Sequence, residues 1–351
     1  MIKIIYQENL LPATAYQSVL ASENYLKVKS HKYGWFSNEN YIMPFFIDER
    51  FHLFRRLVIT QHPIPIKGNN NMRLSDISQV GGVIEEKCFL KEVLLYLKNH
   101  PQITDYVEKP QANVFFCSFP EGMKHLKVIP WGTYVTDLSK TDTDLINLFH
   151  SKHRNVIRKA IKDGVTVSEA SIEETYQCIK ETLARQNVHA PTKTYYEKLI
   201  QNIPEHVGFY KVTMDNKIEG VAVILYDNLC GYYMYGGSTE HHHTGSVNLL
   251  QYRIMQDLQH RGVKKYDLVG ARVIYREGSK YDGIQRFKSR FATANPCGFS
   301  FKYIVQPFKY RLFIFLVNLY GTFKGFKLID SIDDTLKLMK ERQITLEDFS
   351  S

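Results

Sequence analysis

The stretch 219–292 changes its hydrophobic period from two to about 3.6 and back, which commits it to an alternation of strand and helix. Residues 220–237 form two apolar, aromatic-rich runs around Asp227-Asn228, the pattern of a hairpin with a short turn. From 246 to 259, Val247, Leu250, Ile254 and Leu258 recur at spacings of three and four, so they share one face of a helix that Arg261-Gly262 ends. A strand is expected at 265–269, closed by Gly270. After a polar, basic loop, Phe287-Lys288-Ser289-Arg290-Phe291 reads as a last strand, with the rings buried and Lys288 and Arg290 turned to the opposite face.

A chain of 351 residues exceeds the usual size of one hydrophobic core, so two domains of roughly 150 residues are expected. Its 44% hydrophobic and 23% charged residues are those of an ordinary folded chain. A net charge of +9 favours an anionic partner such as RNA, a pyrophosphate-bearing lipid or a membrane surface, unless it serves solubility alone. The five cysteines are odd in number, widely spaced and without a C-x-x-C pair, as expected in a reducing compartment. The start MIKIIYQENL has no apolar signal region, and the run 312–317 is too short to span a bilayer. A cytoplasmic protein is expected, with a peripheral contact at the inner face of the membrane left open.

Three motifs in order, YYMYGGS, GVKKYDLVGA and GIQRFKSRF, resemble those of the FemABX family of aminoacyltransferases, the last matching its Gly-x-x-x-Phe-Lys-x-x-Phe segment. Upstream, TYVTDLSKTDTDLINLFHSKHRNVIRKAIKDGVTV is similar to the family's Asp-Leu, helix, Arg-x-x-x-Ile-Arg-Lys-Ala and Gly-Val segment. Together these cover about half of the chain. The resemblance implies an α+β protein of two tandem GNAT-like domains, each a mixed twisted sheet flanked by helices. The expected division is 1–136, an acceptor-binding and non-catalytic domain; 137–300, the catalytic domain; and 301–351, an aromatic-basic helical extension.

In the first domain the pattern gives a strand at 2–6, a helix at 13–22, strands at 40–47 and 51–59, a loop at the PIPIKGNNN segment, a helix at 85–99 and a strand at 114–119. Lys27, Lys29 and Lys32 precede Gly34-Trp35, and the family binds its acceptor partly through a lysine here; Lys29 is taken as the candidate. The second domain starts with a strand at 133–138 and a helix from Thr141, at capping-box spacing with Asp144, to Asp163 before Gly164. On that helix Arg154, Arg158 and Lys162 lie four apart, as either a solvated face or a phosphate clamp. A helix at 172–184 leads to ARQNVHAPTKTYYEKL, which resembles a family segment near the acceptor site and nominates Arg185 and Tyr195. The segment 301–327 mixes Phe, Tyr and Leu with Lys302, Lys309, Arg311, Lys324 and Lys327 and no acid, so it either packs on the domain or meets a membrane interface.

Acyl transfer to an amine needs a deprotonated nucleophile, a positioned carbonyl and a positive group near the oxyanion, without a covalent enzyme intermediate. No G-x-S-x-G elbow is present, and His241-His242-His243 lacks any supporting zinc pattern, so no metal is expected. By resemblance, Lys288 stabilises the oxyanion or the departing ribose oxygen and Phe287 fixes its position. Asp267 is the candidate proton acceptor, Tyr233 and Tyr235 on one face of their strand are candidates for the acceptor channel, and Arg272, Arg276 and Arg290, with Arg154 and Arg158, for donor phosphates. Acetyl-CoA enzymes of the GNAT fold carry Gln/Arg-x-x-Gly-x-Gly/Ala; the matching stretch, His242 to Val247, keeps only Gly245. The expected donor is therefore aminoacyl-tRNA with no cofactor, and the expected acceptor an amine of a cell-wall (peptidoglycan) precursor, lipid-linked or not. Two alternatives stand beside it: an acyl-CoA-dependent N-acyltransferase acting on an amino sugar, with acetyl-CoA as donor, and a non-catalytic RNA- or membrane-binding protein.

Overall fold

The computed structural model describes residues 1–68, 84–139, 142–186, 188–324 and 330–349. The chain forms two units: Met1–Gly132 with Gly270–Asp282 and Pro296–Ser351, and Thr133–Val269 with Gly283–Asn295. The first unit starts with β1 (Lys3–Ile5), α1 (Glu23–Lys29), β2 (Lys32–Ser37), β3 (Tyr41–Arg50), β4 (Phe54–Ile59), β5 (Ile64–Pro65), α2 (Ile84–Asn99), β6 (Tyr106–Val107) and β7 (Leu126–Gly132). The chain then builds the second unit from β8 (Val135–Asp137), α3 (Asp142–Leu148), α4 (Ser151–Lys162), β9 (Thr166–Glu169), α5 (Ile172–Ala184), α6 (Lys193–Asn202), β10 (Val207–Met214), β11 (Lys217–Tyr226), β12 (Cys230–Ser238), α7 (Ser246–His260) and β13 (Lys265–Asp267). It returns through β14 (Ala271–Arg272), crosses again along α8 (Lys280–Ser289), and ends with β15 (Cys297–Ile304), α9 (Pro307–Lys324) and α10 (Ser331–Arg342).

Among the described residues the second unit has a mixed sheet in the order β8-β13-β12-β11-β10-β9, parallel only between β12 and β13. The hairpin at Asp227-Asn228 is β11 with β12, and Asp227 Oδ1 accepts from Leu229 N and Cys230 N at 2.9 and 3.0 Å, fixing the turn. The core sets α7, through Leu250, Ile254 and Leu258, against Val212, Ala222, Ile224 and Tyr266 of the sheet. Gly231 permits this approach, since a Cβ there would lie 2.4 Å from Leu258 Cδ1.

The first unit's sheet runs β1-β2-β3-β4-β6-β15-β7-β14, with β5 on β3. Its core joins Phe89, Val93, Leu94 and Leu97 of α2 to Phe45, Leu57, Phe299 and Phe301. The expected break at 300/301 is therefore corrected: β15 pairs along its length with β7, because Phe299, Phe301 and Tyr303 alternate into this core. The described residues beyond 300 belong to the first unit, and Lys302, counted among the interfacial cations, is 1% exposed beside Asp330 and Glu108.

Local corrections have local causes. The helix expected at 13–22 is a single 3-10 turn, Val19–Ala21, and α1 begins only after Ser22, whose hydroxyl accepts from Tyr25 N at 3.2 Å. Instead of a strand at 114–119 there is one bridge, Phe116 to Phe299. The helix drawn from 141 to 163 is broken at Phe149-His150: His150 caps α4, and Arg154 donates to Phe149 O (2.8 Å) and Asn147 O (3.3 Å), carbonyls at the end of α3. The Thr141/Asp144 capping pair and the end of PIPIKGNNN lie outside the described residues. Residues 287–291 are no strand. Phe287 and Phe291 are four apart, their rings meet at 5.2 Å, and Phe287 and Lys288 belong to the last turn of α8.

Candidate active site

β13 lies between β12 and β8, and its end carries Asp267, the expected proton acceptor. Tyr266 is fully buried and donates to Gln251 Oε1 of α7 at 2.7 Å, which anchors the strand. Asp267 follows, 6% exposed, with Oδ1 accepting from Thr133 Oγ1 and, at 2.7 Å, from Val269 N. Val269 takes φ of +50°, a conformation that a β-branched residue adopts only under strain. Its peptide is held on both sides: the N–H by Asp267, the carbonyl by Lys288 Nζ of α8.

Asp267 and Lys288 are thus brought together around one strained peptide. Burial pushes the Asp267 carboxyl up to about 6, against the pull of the Thr133 and Val269 hydrogen bonds and the Lys288 charge. Burial brings the Lys288 ammonium down to about 8, and Asp267 works to raise it. Between those values both groups are charged, and both titrate within reach of neutral pH.

The residues of α8 at 283, 286 and 287, with Arg290 just beyond it, line a cavity of about 500 Å³ together with Lys152, His153, Asn155 and Val156 of α4 and Asn248 of α7. Its wall carries Lys152, Arg286 and Arg290 and no carboxylate among the described residues. His153 is 4% exposed, with its ring 4.4 Å from that of Phe291 and 5.5 Å from that of Phe287; burial lowers it to about 4, so it is neutral. Its Nδ1 has no partner among the described residues.

The start of α7 is closed from within. Gly245 has φ of +94°, and a Cβ there would lie 2.3 Å from Val156 O of α4. The Glu219 carboxylate accepts from His243 N at 3.0 Å and from Ser246 Oγ, and His243 Nε2 lies 2.9 Å from Asp163. An internal anion therefore sits where a helix N-terminus would otherwise offer its N–H groups to a ligand.

The other candidates separate. Arg185, at the end of α5, donates to Ser238 O, and Tyr195 meets Tyr235 at 5.7 Å and Tyr196 at 5.5 Å, so these gather near the end of β12. A register shift leaves Met234 unpaired between Tyr233 and Tyr235, so strict alternation is lost: Tyr233 packs on the main core and Tyr235 on α6. Arg154 binds backbone carbonyls and Arg158 is exposed; neither lines the cavity, where α4 supplies Lys152 instead. In the first unit, Arg272 lies over the Tyr281 ring at 3.9 Å and 3.2 Å from Asp334, and Arg276 pairs with Glu341 at 3.0 Å. Lys29, also there, is lowered to about 7 by burial and by Arg56. Sequence reasoning missed Thr133, Val269, Glu219, His153 and Lys152. Of these only Val269-Gly270, a strand end before glycine, carried a local signal.

The pattern of the FemAB family matches residues 110–218 and again 212–317. No curated protein sequence matches significantly. The fold is similar to the crystal structure of FemX, with TM-score 0.59 at 14% identity over 85% of this chain and 95% of that one. A conserved protein of unknown function from Bacteroides thetaiotaomicron gives TM-score 0.50 at 9% identity, covering 83% of this chain and 93% of that one. A tandem GNAT protein from the clavulanic acid biosynthesis pathway gives 0.47 at 9% identity over 85% and 91%.

Proposed function

Because the chain belongs to the FemAB family, and so is a transferase, we propose that it moves an aminoacyl group from a charged tRNA to an amine of a cell-wall precursor, with Asp267 and Lys288 as its catalytic pair. The observation that carries this reading is their convergence on the Val269 peptide at the end of β13. The acceptor ammonium gives a proton to Asp267 Oδ2, since both bonds it accepts from the described residues fall on Oδ1. The amine nitrogen then attacks the ester carbonyl. Lys288, an ammonium with three donors, stabilises the oxyanion. As the new C–N bond forms, the C–O bond to the ribose breaks and that oxygen takes the proton held by Asp267, while the nitrogen, which attacked as –NH2, gives its second proton to the regenerated Asp267 carboxylate and from there to solvent, leaving a neutral amide. Phe287 keeps the last turn of α8 against His153 and Phe291 and so sets the position of Lys288.

Glu219 favours tRNA over acyl-CoA as donor. A pyrophosphate at the start of α7 would meet its carboxylate, and a backbone cradle there is already filled by α4. The cavity beside α8, with Lys152, Arg286 and Arg290, suits donor phosphates instead. Arg185, Tyr195 and Tyr235 are assigned to the acceptor side. No cofactor enters this scheme.

The test is transfer of radiolabel to a cell-wall precursor mixture from charged tRNA or from acetyl-CoA, with and without ribonuclease. The expected result is transfer from tRNA alone, abolished by ribonuclease, and weakened by salt with a slope of about −0.7 to −0.9 per phosphate contacted. Ribonuclease-resistant transfer from acetyl-CoA overturns the donor assignment. Transfer from neither donor, with RNA binding intact, overturns the enzyme.

A further inference from the structure

Among the described residues no helix is long and apolar enough to cross a membrane. α9 nonetheless presents a continuous apolar line to solvent. Phe308, Leu312, Phe315, Leu319 and Phe323 follow at spacings of four, three, four and four, which places them in one stripe, and Phe308, Phe315 and Phe323 are 82%, 62% and 81% exposed. The opposite side of the helix is the packed one: Tyr310 and Phe313 lie on Tyr106, with ring centroids at 5.1 and 5.4 Å. The turn between β3 and β4 adds exposed apolar surface beside the helix, its Phe51 ring lying 6.3 Å from that of Phe313 on the packed side. Phe51 and His52 both take φ of +54°, Phe51 and Leu53 are exposed, and the Phe51 ring lies 6.5 Å from that of Tyr320. An exposed aromatic line of this length on a water-facing surface marks a contact with something apolar.

The charges beside it identify what. α9 contains no acidic residue, and Arg311 on it is exposed. Asp105, at the packed side of α9, is held by Arg55 and by Lys309 of the helix, Glu108 and Asp330 share Lys302 beside Tyr310, and on the neighbouring strands Asp48 is held by Arg50 and Arg56 and Glu49 by Lys32. The charges that α9 itself carries beside the stripe, Lys309 and Arg311, are positive. A second copy of this chain docked on the same face would set those cations against their own images, because a two-fold interface is self-complementary. An anionic bilayer surface takes both features at once, rings at the acyl boundary and cations among the headgroups.

We propose that the outward face of α9, with the Phe51–Leu53 turn, is a membrane-interface docking surface for bilayers carrying anionic lipid. The helix lies in the headgroup plane. Attachment is reversible, since one stripe with few cations holds far less tightly than a spanning helix. The surface belongs to the first unit and does not depend on the assignment of the transfer reaction.

The full chain is to be sedimented with phosphatidylcholine vesicles with and without about 30 mol% phosphatidylglycerol, in low salt and in about 0.5 M salt. Binding to the anionic vesicles only, reduced by salt, is expected. Replacing Phe308, Phe315 and Phe323 together by Ser should weaken it by at least about tenfold, and Arg311→Glu, a surface change that leaves the fold alone, by about threefold to tenfold. A Phe315→Trp variant reports insertion directly: its emission should shift to the blue and be quenched by brominated lipid only with anionic vesicles. Vesicle binding unchanged in both the triple variant and Arg311→Glu overturns the proposal. So does an unshifted emission from the Phe315→Trp variant, or a dimer of the parent chain that the triple variant converts to monomer with no vesicle binding.

Discussion

Two Phe-Lys pairs, Phe287-Lys288 in one unit and Phe301-Lys302 in the other, look alike in the sequence and end in opposite situations. Lys302 points from β15 into the first unit, where Asp330 binds it, Tyr310 Oη lies at 3.2 Å and Glu108 at 3.4 Å. Asp330 also caps α10 through its other oxygen, accepting from Ile332 N at 2.9 Å, so Lys302 ties that helix to the sheet. Lys288, in contrast, donates to the Val269 carbonyl and lies near Asp267, whose Oδ1 accepts from Thr133 and Val269. The first lysine is tied to two carboxylates and a tyrosine hydroxyl. The second is left between charge states, about 8 beside a carboxyl at about 6, as a group that handles protons and developing charge must be.

The sharpest way to break this contrast is to remove each lysine. Lys288→Ala should lower turnover by about 10²–10³, with KM for both substrates and thermal stability little changed, because the lost contact is made to the transition state. Steady-state transfer rates check it, and a rate within about threefold of the parent would place Lys288 with the structural lysines. Lys302→Ala should do the reverse. It removes the buried cation shared by Asp330 and Glu108, costing about 3 kcal/mol in urea unfolding, while the folded enzyme keeps its turnover.

How far the sequence revealed this contrast depends on the range of the forces involved. The hairpin at Asp227-Asn228 and the face of α7 were legible because turn chemistry and periodicity are local. The α8 segment was misread as a strand because five residues, Phe-Lys-Ser-Arg-Phe, satisfy alternation at their ends, whereas only the facing His153 ring shows that the two phenylalanines share a helical face. The break between α3 and α4 depends on Arg154 reaching back to carbonyls, and the threading of β15 into the first sheet on partners about 170 residues earlier. At the site, Asp267 and Lys288 could be nominated from motifs. Their coupling through Val269, and the closure of α7 by Glu219, arise from tertiary packing that no spacing encodes.

The smallest effect is also the most discriminating, because it separates the two members of the pair. Asp267 must be ionised to accept a proton, so activity should rise as pH climbs through about 6; Lys288 must stay protonated to meet the oxyanion, so activity should fall as pH climbs through about 8. A bell between those limbs belongs to the pair as a whole. Lys288→Arg keeps the charge at every accessible pH, and should flatten the basic limb while leaving the acid limb in place, at a loss of no more than about tenfold near pH 7 from the altered geometry. Asp267→Asn should remove the acid limb. If Lys288→Arg retains a fall near pH 8, the basic limb comes from another group, and the titrating partner of Asp267 has to be sought elsewhere around the Val269 peptide.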